Sequence, residues 1–379
     1  MPFDERPFLV FWELTRACLL RCAHCRAVAQ LERHPGELST DEGRRLIDAL
    51  VDLGRPRVIL TGGDPLMRPD FFDLVDYAVR QGLSVSVTPS VTPKVTEDVI
   101  RKAKAAGIAR WAVSLDGATA DVHDGFRGVP GTFDRALRLL GWLKAYGLPA
   151  QVNTTVTRRN VHQLEAIAER IADYDIVLWS VFFLVPTGRA RMEEMLDARE
   201  TEAVFARLYA LDQTMPYAIK TTEAHHYRRY VLQQKARELG RPASTLSFQA
   251  FAQRKRAGQG AVDDGIGRAP DGLRDGAGVV FISHIGDVFP SGFLPVKAGN
   301  VREAPLGEIY RRSPVFRALR NPDGFGGKCG VCDFRHICGG SRARAYAVSG
   351  DMLAAEPTCA YLPPAWTRRI AEQKAGGAR

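Results

Sequence analysis

The chain has 379 residues, 45% hydrophobic and 25% charged, the balance of a globular protein long enough to bury a large core. Its formal charge of +9 comes without a concentrated basic run, a helix-turn-helix pattern or basic–aromatic interleaving, so no nucleic acid partner is expected. No apolar run nears the ~18 residues of a membrane span, and the acidic start lacks a signal peptide's basic flank, so the expectation is a cytoplasmic protein with no membrane partner.

Short β-branched runs alternate with helical patterns through the first half, the rhythm of βα units around a parallel sheet. Strands are expected at 8–14, 57–61, 84–88, 109–115, 150–156 and 176–184. The fold class is therefore α/β, a partial (β/α)6 TIM-like barrel, in which ligand sites lie at the C-terminal ends of the strands. Residues 40–53 read as a helix capped by Ser39, and 132–146 as one stopped by Gly147 and Pro149. A further helical pattern runs through Asp212. Residues 219–229 read either as a solvated connector or as a substrate wall. In the second case Lys220, Arg228 and Arg229 would meet carboxylates, and His225 or His226 would move protons or bind iron. Residues 252–276, rich in Gly, Arg and Asp without periodicity, are expected to form a mobile loop. A hairpin is expected around Gly286-Asp287. The chain is expected to divide into a barrel (1–215), a bridging segment with the mobile loop (216–277) and a small C-terminal domain (278–379).

Seven cysteines cannot all pair, and they fall into a set of three and a set of four. Cys18, Cys22 and Cys25 follow the first strand at C-x3-C-x2-C spacing. Three thiolates can hold an iron–sulfur cubane while leaving one iron open to a ligand that is not protein. A zinc site one ligand short and buried free thiols are the alternatives. Cys329, Cys332, Cys338 and Cys359 form a complete ligand set, which spacing alone suits equally to structural zinc or to iron–sulfur. After the second strand comes Thr61-Gly62-Gly63-Asp64-Pro65, after the fourth Ser114-Leu-Asp116-Gly, then a segment from His123 to Arg127, and at the fifth strand Asn153-Thr-Thr.

These motifs resemble those of the radical S-adenosylmethionine (SAM) enzymes, over the barrel to about Leu184 and from Gly278 onward. The resemblance implies that Cys18, Cys22 and Cys25 hold a [4Fe–4S] cluster whose open iron binds SAM. Reductive cleavage of SAM would then give a 5′-deoxyadenosyl radical that abstracts hydrogen from substrate. It further implies SAM contacts from Gly62, Gly63, Asp64, Ser114, Asp116 and Asn153, with Arg127 pairing the SAM carboxylate and His24 where an aromatic packs on the adenine. The four later cysteines resemble the SPASM extension, which binds auxiliary [4Fe–4S] clusters. Ser291 and Arg342 stand where further cysteines would be, so one auxiliary cluster is expected. The closing segment from Cys338 to Ala347 resembles the tetrapyrrole-tailoring branch, NirJ and the alternative heme pathway decarboxylases. The whole chain also resembles a less characterised sister group. The implied partners are a small-molecule substrate, such as a carboxylated tetrapyrrole, or a peptide, with a reductant such as flavodoxin or ferredoxin. A maturase of a ribosomally made peptide and a non-catalytic metal-binding protein are the alternative functions.

Overall fold

In the computed structural model, which describes residues 3–248 and 272–376, the apolar runs assemble into one ten-stranded sheet. Seven strands lie parallel and side by side in chain order: β1 (Leu9–Glu13), β2 (Arg57–Thr61), β3 (Val85–Val87), β4 (Arg110–Ser114), β5 (Ala150–Val156), β6 (Leu178–Phe183) and β7 (Ala218–Thr222). Parallel neighbours need a crossover of a dozen or more residues, and helices such as α1 (Thr40–Asp52), α2 (Phe71–Arg80) and α3 (Glu97–Ala105) supply it. Ser39 and Glu42 form a capping box that fixes the start of α1, with Glu42 N–H 3.2 Å from Ser39 Oγ and Ser39 N–H 2.7 Å from Glu42 Oε2. The core between sheet and helices holds Trp12, Trp111 and Trp179, none more than 1% exposed.

All six expected strands are present, and β7 adds a seventh. Periodicity missed it because its sequence, Ala-Ile-Lys-Thr-Thr, is polar and half-buried on both faces. The expected hairpin also forms, but as part of the same sheet: β8 (Val279–Ile282) pairs parallel to the free edge of β1, and β9 (Asp287–Phe289) returns antiparallel, followed by β10 (Gly299–Asn300). The sheet thus crosses both expected boundaries, at 215 and at 277. Of the expected mobile loop, 252–271 lies outside the described residues. Residues 272–276 instead form a turn in which Arg274 N–H donates to Ala277 O at 3.0 Å.

Arg344, on the helix Arg342–Ser349, ties the C-terminal segment to the strand ends. Its guanidinium donates to the carbonyls of Phe183 (3.0 Å), Leu184 (3.1 Å) and Glu223 (2.6 Å) and pairs with Glu356 at 3.1 Å. Among the described residues, no helix is long and apolar enough to cross a membrane.

Candidate active site

Leaving β1, the chain loops through Cys18, Cys22 and Cys25 and closes on itself, with Cys18 N–H donating to Gln30 O (2.7 Å) and Gln30 N–H to Arg16 O (3.0 Å). Other strand ends grip this loop by its backbone. Gly63 N–H donates to Thr15 O and Asp64 N–H to Ala17 O, both at 2.7 Å, while Arg189 N–H donates to Cys25 O at 3.0 Å. A Cβ on Gly63 would stand 2.4 Å from Ala17 O, and one on Gly188 2.4 Å from Cys25 O. Glycine is required at both places because two backbones touch there.

The three cysteines line one cavity of ≈ 330 Å³. Backbone N–H groups of Leu20 and Ala29 point at the sulfurs of Cys18 (3.4 Å) and Cys25 (3.5 Å), and Arg127 Nη1 lies 3.9 Å from that of Cys22. Burial pushes the Cys18 thiol up to about 11 against the pull of the Ser90 hydroxyl, and raises Cys22 despite Arg127. Thiolates in this setting need a bound cation to displace the proton, the condition under which cysteine becomes a metal ligand. A cavity-lining thiol triad with N–H donors at the sulfurs fits an iron–sulfur group.

Six of the expected SAM contacts, His24, Gly62, Gly63, Ser114, Arg127 and Asn153, line this cavity. Asp64 and Asp116, both 0% exposed, are bonded within the wall beside these residues. Asp64 accepts from Thr92 Oγ1 (2.8 Å) and Leu66 N–H (3.2 Å), and burial pushes it up to about 6. Asp116 accepts from Thr155 N–H at 2.7 Å and pairs with Arg127. The fork expected of Arg127 is therefore already engaged, one arm on Asp116 and the other beside Cys22. Motif spacing located these residues at strand ends but could not say which way short carboxylates turn.

His24 packs on Phe126 with ring centroids 4.4 Å apart, and its Nδ1 is buried without a partner. Burial, reinforced by Arg127 and Arg189, holds its imidazole neutral. Three polar lining residues without an assigned role in the sequence lie close to the cysteine loop. Ser90 Oγ donates to Gly63 O at 2.6 Å and accepts from the Cys18 thiol at 3.2 Å. His123 Nδ1 accepts from Asp116 N–H at 3.0 Å. Arg189 buries Nε and Nη2 without hydrogen-bond partners. Gly188, whose backbone touches that of Cys25, sets Arg189 beside the cysteine loop.

The same cavity takes in Lys220, Glu223, His225 and Arg228 from β7 and just after it, Arg274 and Asp275 from the turn before β8, and Phe281 and Phe293 from β8 and beyond. The polar stretch 219–229 divides between two sites, because His226 and Arg229 face a smaller pocket lined by Cys329, Cys332, Cys338 and Cys359. There Arg229 pairs with Glu202 and lies 5.4 Å over the Tyr361 ring. N–H groups of Gly340 and Glu356 point at the sulfurs of Cys338 (3.2 Å) and Cys329 (3.3 Å), and burial pushes the Cys332 thiol up to about 11. His225 Nδ1 lies 3.1 Å from Gly340 O and Arg228 donates to Ile337 O at 2.9 Å, so the large cavity's wall is bonded to the backbone on either side of Cys338.

The Radical SAM superfamily matches residues 12–171, from β1 into the helix that follows β5. An AdoMet-dependent heme synthase of Nitratidesulfovibrio vulgaris is 42% identical over 357 residues, covering 94% of this chain and 92% of that protein. The chain belongs to the radical SAM superfamily. The AdoMet-dependent heme synthase of Methanosarcina barkeri is 40% identical, with 94% of this chain and 97% of that protein covered. The crystal structure of Streptococcus suis SuiB bound to S-adenosylmethionine shares the fold, with a TM-score of 0.70 at 16% identity over 94% of this chain and 78% of that one. As a radical SAM enzyme, the chain works with a [4Fe–4S] cluster and SAM.

Proposed function

We propose that this radical SAM enzyme is an AdoMet-dependent heme synthase, converting propionate side chains of an iron porphyrin to vinyl groups. The observation that carries the reading is identity above 40% to such a synthase along nearly the whole chain. The cavity agrees with it, since Phe281 and Phe293 offer apolar faces to a flat macrocycle while Lys220, Arg228 and Arg274 bring positive charge toward carboxylates. Heme carries two vinyl groups, and replacing them by propionates gives iron coproporphyrin III. Each conversion removes one hydrogen atom, one CO2 and one electron from a propionate.

Cys18, Cys22 and Cys25 would hold the cluster, with Gly62, Gly63, Ser114, Asn153, His24 and Arg127 around SAM. When bound, this pair of cofactors supplies the hydrogen-abstracting radical. Asp116 and Asp64 act at one remove: Asp116 orients Arg127, and Asp64 with Thr92 sets the turn that carries the glycines. Ser90 bridges that turn to Cys18. The electron released needs an acceptor, and Cys329, Cys332, Cys338 and Cys359 would hold an auxiliary [4Fe–4S] cluster suited to that task. Residues 1–215 then serve SAM, 278–379 supply the ligands of the second cluster and lend Phe281 and Phe293 to the large cavity, and 216–277 contribute to both. A flavodoxin or ferredoxin would reduce the first cluster.

The test is anaerobic incubation of the reconstituted protein with SAM, a strong reductant and iron coproporphyrin III. Methionine, 5′-deoxyadenosine and a divinyl product with the spectrum of heme are expected. Cleavage of SAM with the porphyrin returned unchanged would remove the substrate assignment. Turnover of a short peptide instead would favour the maturase alternative.

A further inference from the structure

Two carboxyl groups in the cavity wall take no part in holding the cysteines. Glu223 follows β7 directly, is 3% exposed, and sits at φ +55, a left-handed conformation that costs free energy for any residue but glycine. Arg344 Nη2 clamps its carbonyl at 2.6 Å. Glu223 Oε1 accepts from Ser291 Oγ at 3.3 Å, and Oε2 accepts from Ser341 Oγ. Asp275, also 3% exposed, accepts at Oδ2 from Arg342 N–H and Ala343 N–H, both at 3.1 Å. Glu223 and Asp275 bond to successive residues, Ser341 and then Arg342 and Ala343, and both line the same cavity, so two buried carboxyls share one stretch of wall and ionising both at once is costly, which keeps a proton on one of them.

The charged groups nearby do not remove that requirement. Arg344 and Arg342 favour ionisation of the pair, but Arg344 is shared with Glu356 and the carbonyls of Phe183 and Leu184, Arg342 with those of Met352 and Ala354, and Arg274 donates to that of Gly272, so burial wins. Burial, with Arg228 and Arg274 beside it, holds His225 neutral. Burial first, and then the charge of Asp275, raises Glu223 well above the usual carboxylate range. Ser291 and Arg342, where a second auxiliary cluster would have had its ligands, belong to this acid network.

We infer that Glu223 and Asp275 form a shared-proton acid pair that recognises a carboxylate of the substrate. A ligand carboxylate entering this wall competes with Asp275 for the proton of Glu223, forming a charge-assisted O–H···O bond about twice as strong as a neutral one. The inference rests on the reading that the substrate is a porphyrin bearing propionates.

The experiment titrates the reconstituted enzyme with iron coproporphyrin III across pH 6 to 9, following the visible absorption of the porphyrin, and repeats it with the tetramethyl ester. For the acid, affinity of the native enzyme should weaken about tenfold as rising pH strips the shared proton, a loss that the ester should not show. Glu223→Gln keeps a donor that cannot titrate, and Asp275→Asn replaces the neighbouring charge with an amide that can donate to Glu223, so Glu223 ionises across the whole range. Either variant should flatten the pH profile. The ester series on the native enzyme gives the answer even if both variants fail to fold. An unchanged profile in Glu223→Gln, or the same profile for acid and ester, overturns the acid pair and leaves the heme synthase reading standing. Failure of iron coproporphyrin III itself to bind overturns both.

Discussion

Glu13 shows how much a single residue carries in this fold. It ends β1 with its carboxylate fully buried, 3.0 Å from Arg26, 3.2 Å from Arg16 and 2.8 Å from His284. Burial alone would raise its pKa, but Arg26, His284 and Arg16 together outweigh that and hold it at about 2. A lowered carboxylate stabilises the fold fully above its unfolded value of 4.5, and the contribution fades as pH falls from there toward 2. Glu13→Gln should therefore cost about 3 kcal/mol near pH 7, because it takes the buried carboxylate away from the partly buried Arg26 and from His284. The deficit should shrink near pH 3, and thermal unfolding of both proteins at the two pH values measures it. Periodicity placed Glu13 at a strand end, yet nothing local revealed its partner His284, which lies 271 positions away.

At the scale of elements, the cysteine loop and the glycine turn after β2 form one unit. The sequence presents them as two motifs separated by about forty residues, each with its own ligand. Their backbones meet through the Gly63–Thr15 and Asp64–Ala17 bonds, which exist only because β1 and β2 are neighbours in parallel register. Gly63→Ala would force a methyl to 2.4 Å from Ala17 O, with backbone on both sides and no flexible side chain to yield. The expected cost is about 1–3 kcal/mol of stability, together with a displaced Cys18. Iron content per chain and the yield of 5′-deoxyadenosine should both fall, and chemical reconstitution with excess iron and sulfide should recover little of either. A variant that loads and cleaves SAM normally would show that the loop tolerates the shift.

On the scale of the whole molecule, the two cysteine sets line two separate pockets joined through a common wall. His225 and Arg228 reach from the large cavity to the backbone around Cys338, and Arg344 pins the C-terminal helix to the ends of β6 and β7. Cys332→Ala should lower bound iron by about four atoms per chain while sparing the first cluster. The measurement is iron content beside SAM cleavage in the absence of porphyrin, and cleavage falling in step with iron would contradict the independence of the two sites. Porphyrin turnover should fall more than SAM cleavage if the second site receives the electron.

The sequence by itself determined the parallel α/β architecture, the division of the cysteines into three and four, and the strand ends that carry the site. Those features follow from apolar periodicity and ligand spacing, both local along the chain. Only the tertiary structure decided that β7 and β8 extend the barrel sheet, that Asp64 and Asp116 are bonded to Thr92 and Arg127 within the wall, and that Glu223 and Asp275 come to the same cavity. The strand β7 is too polar to announce itself, and the direction of a short side chain depends on partners far off in sequence. A shared proton arises only when two distant carboxyl groups are buried side by side, which no local pattern encodes.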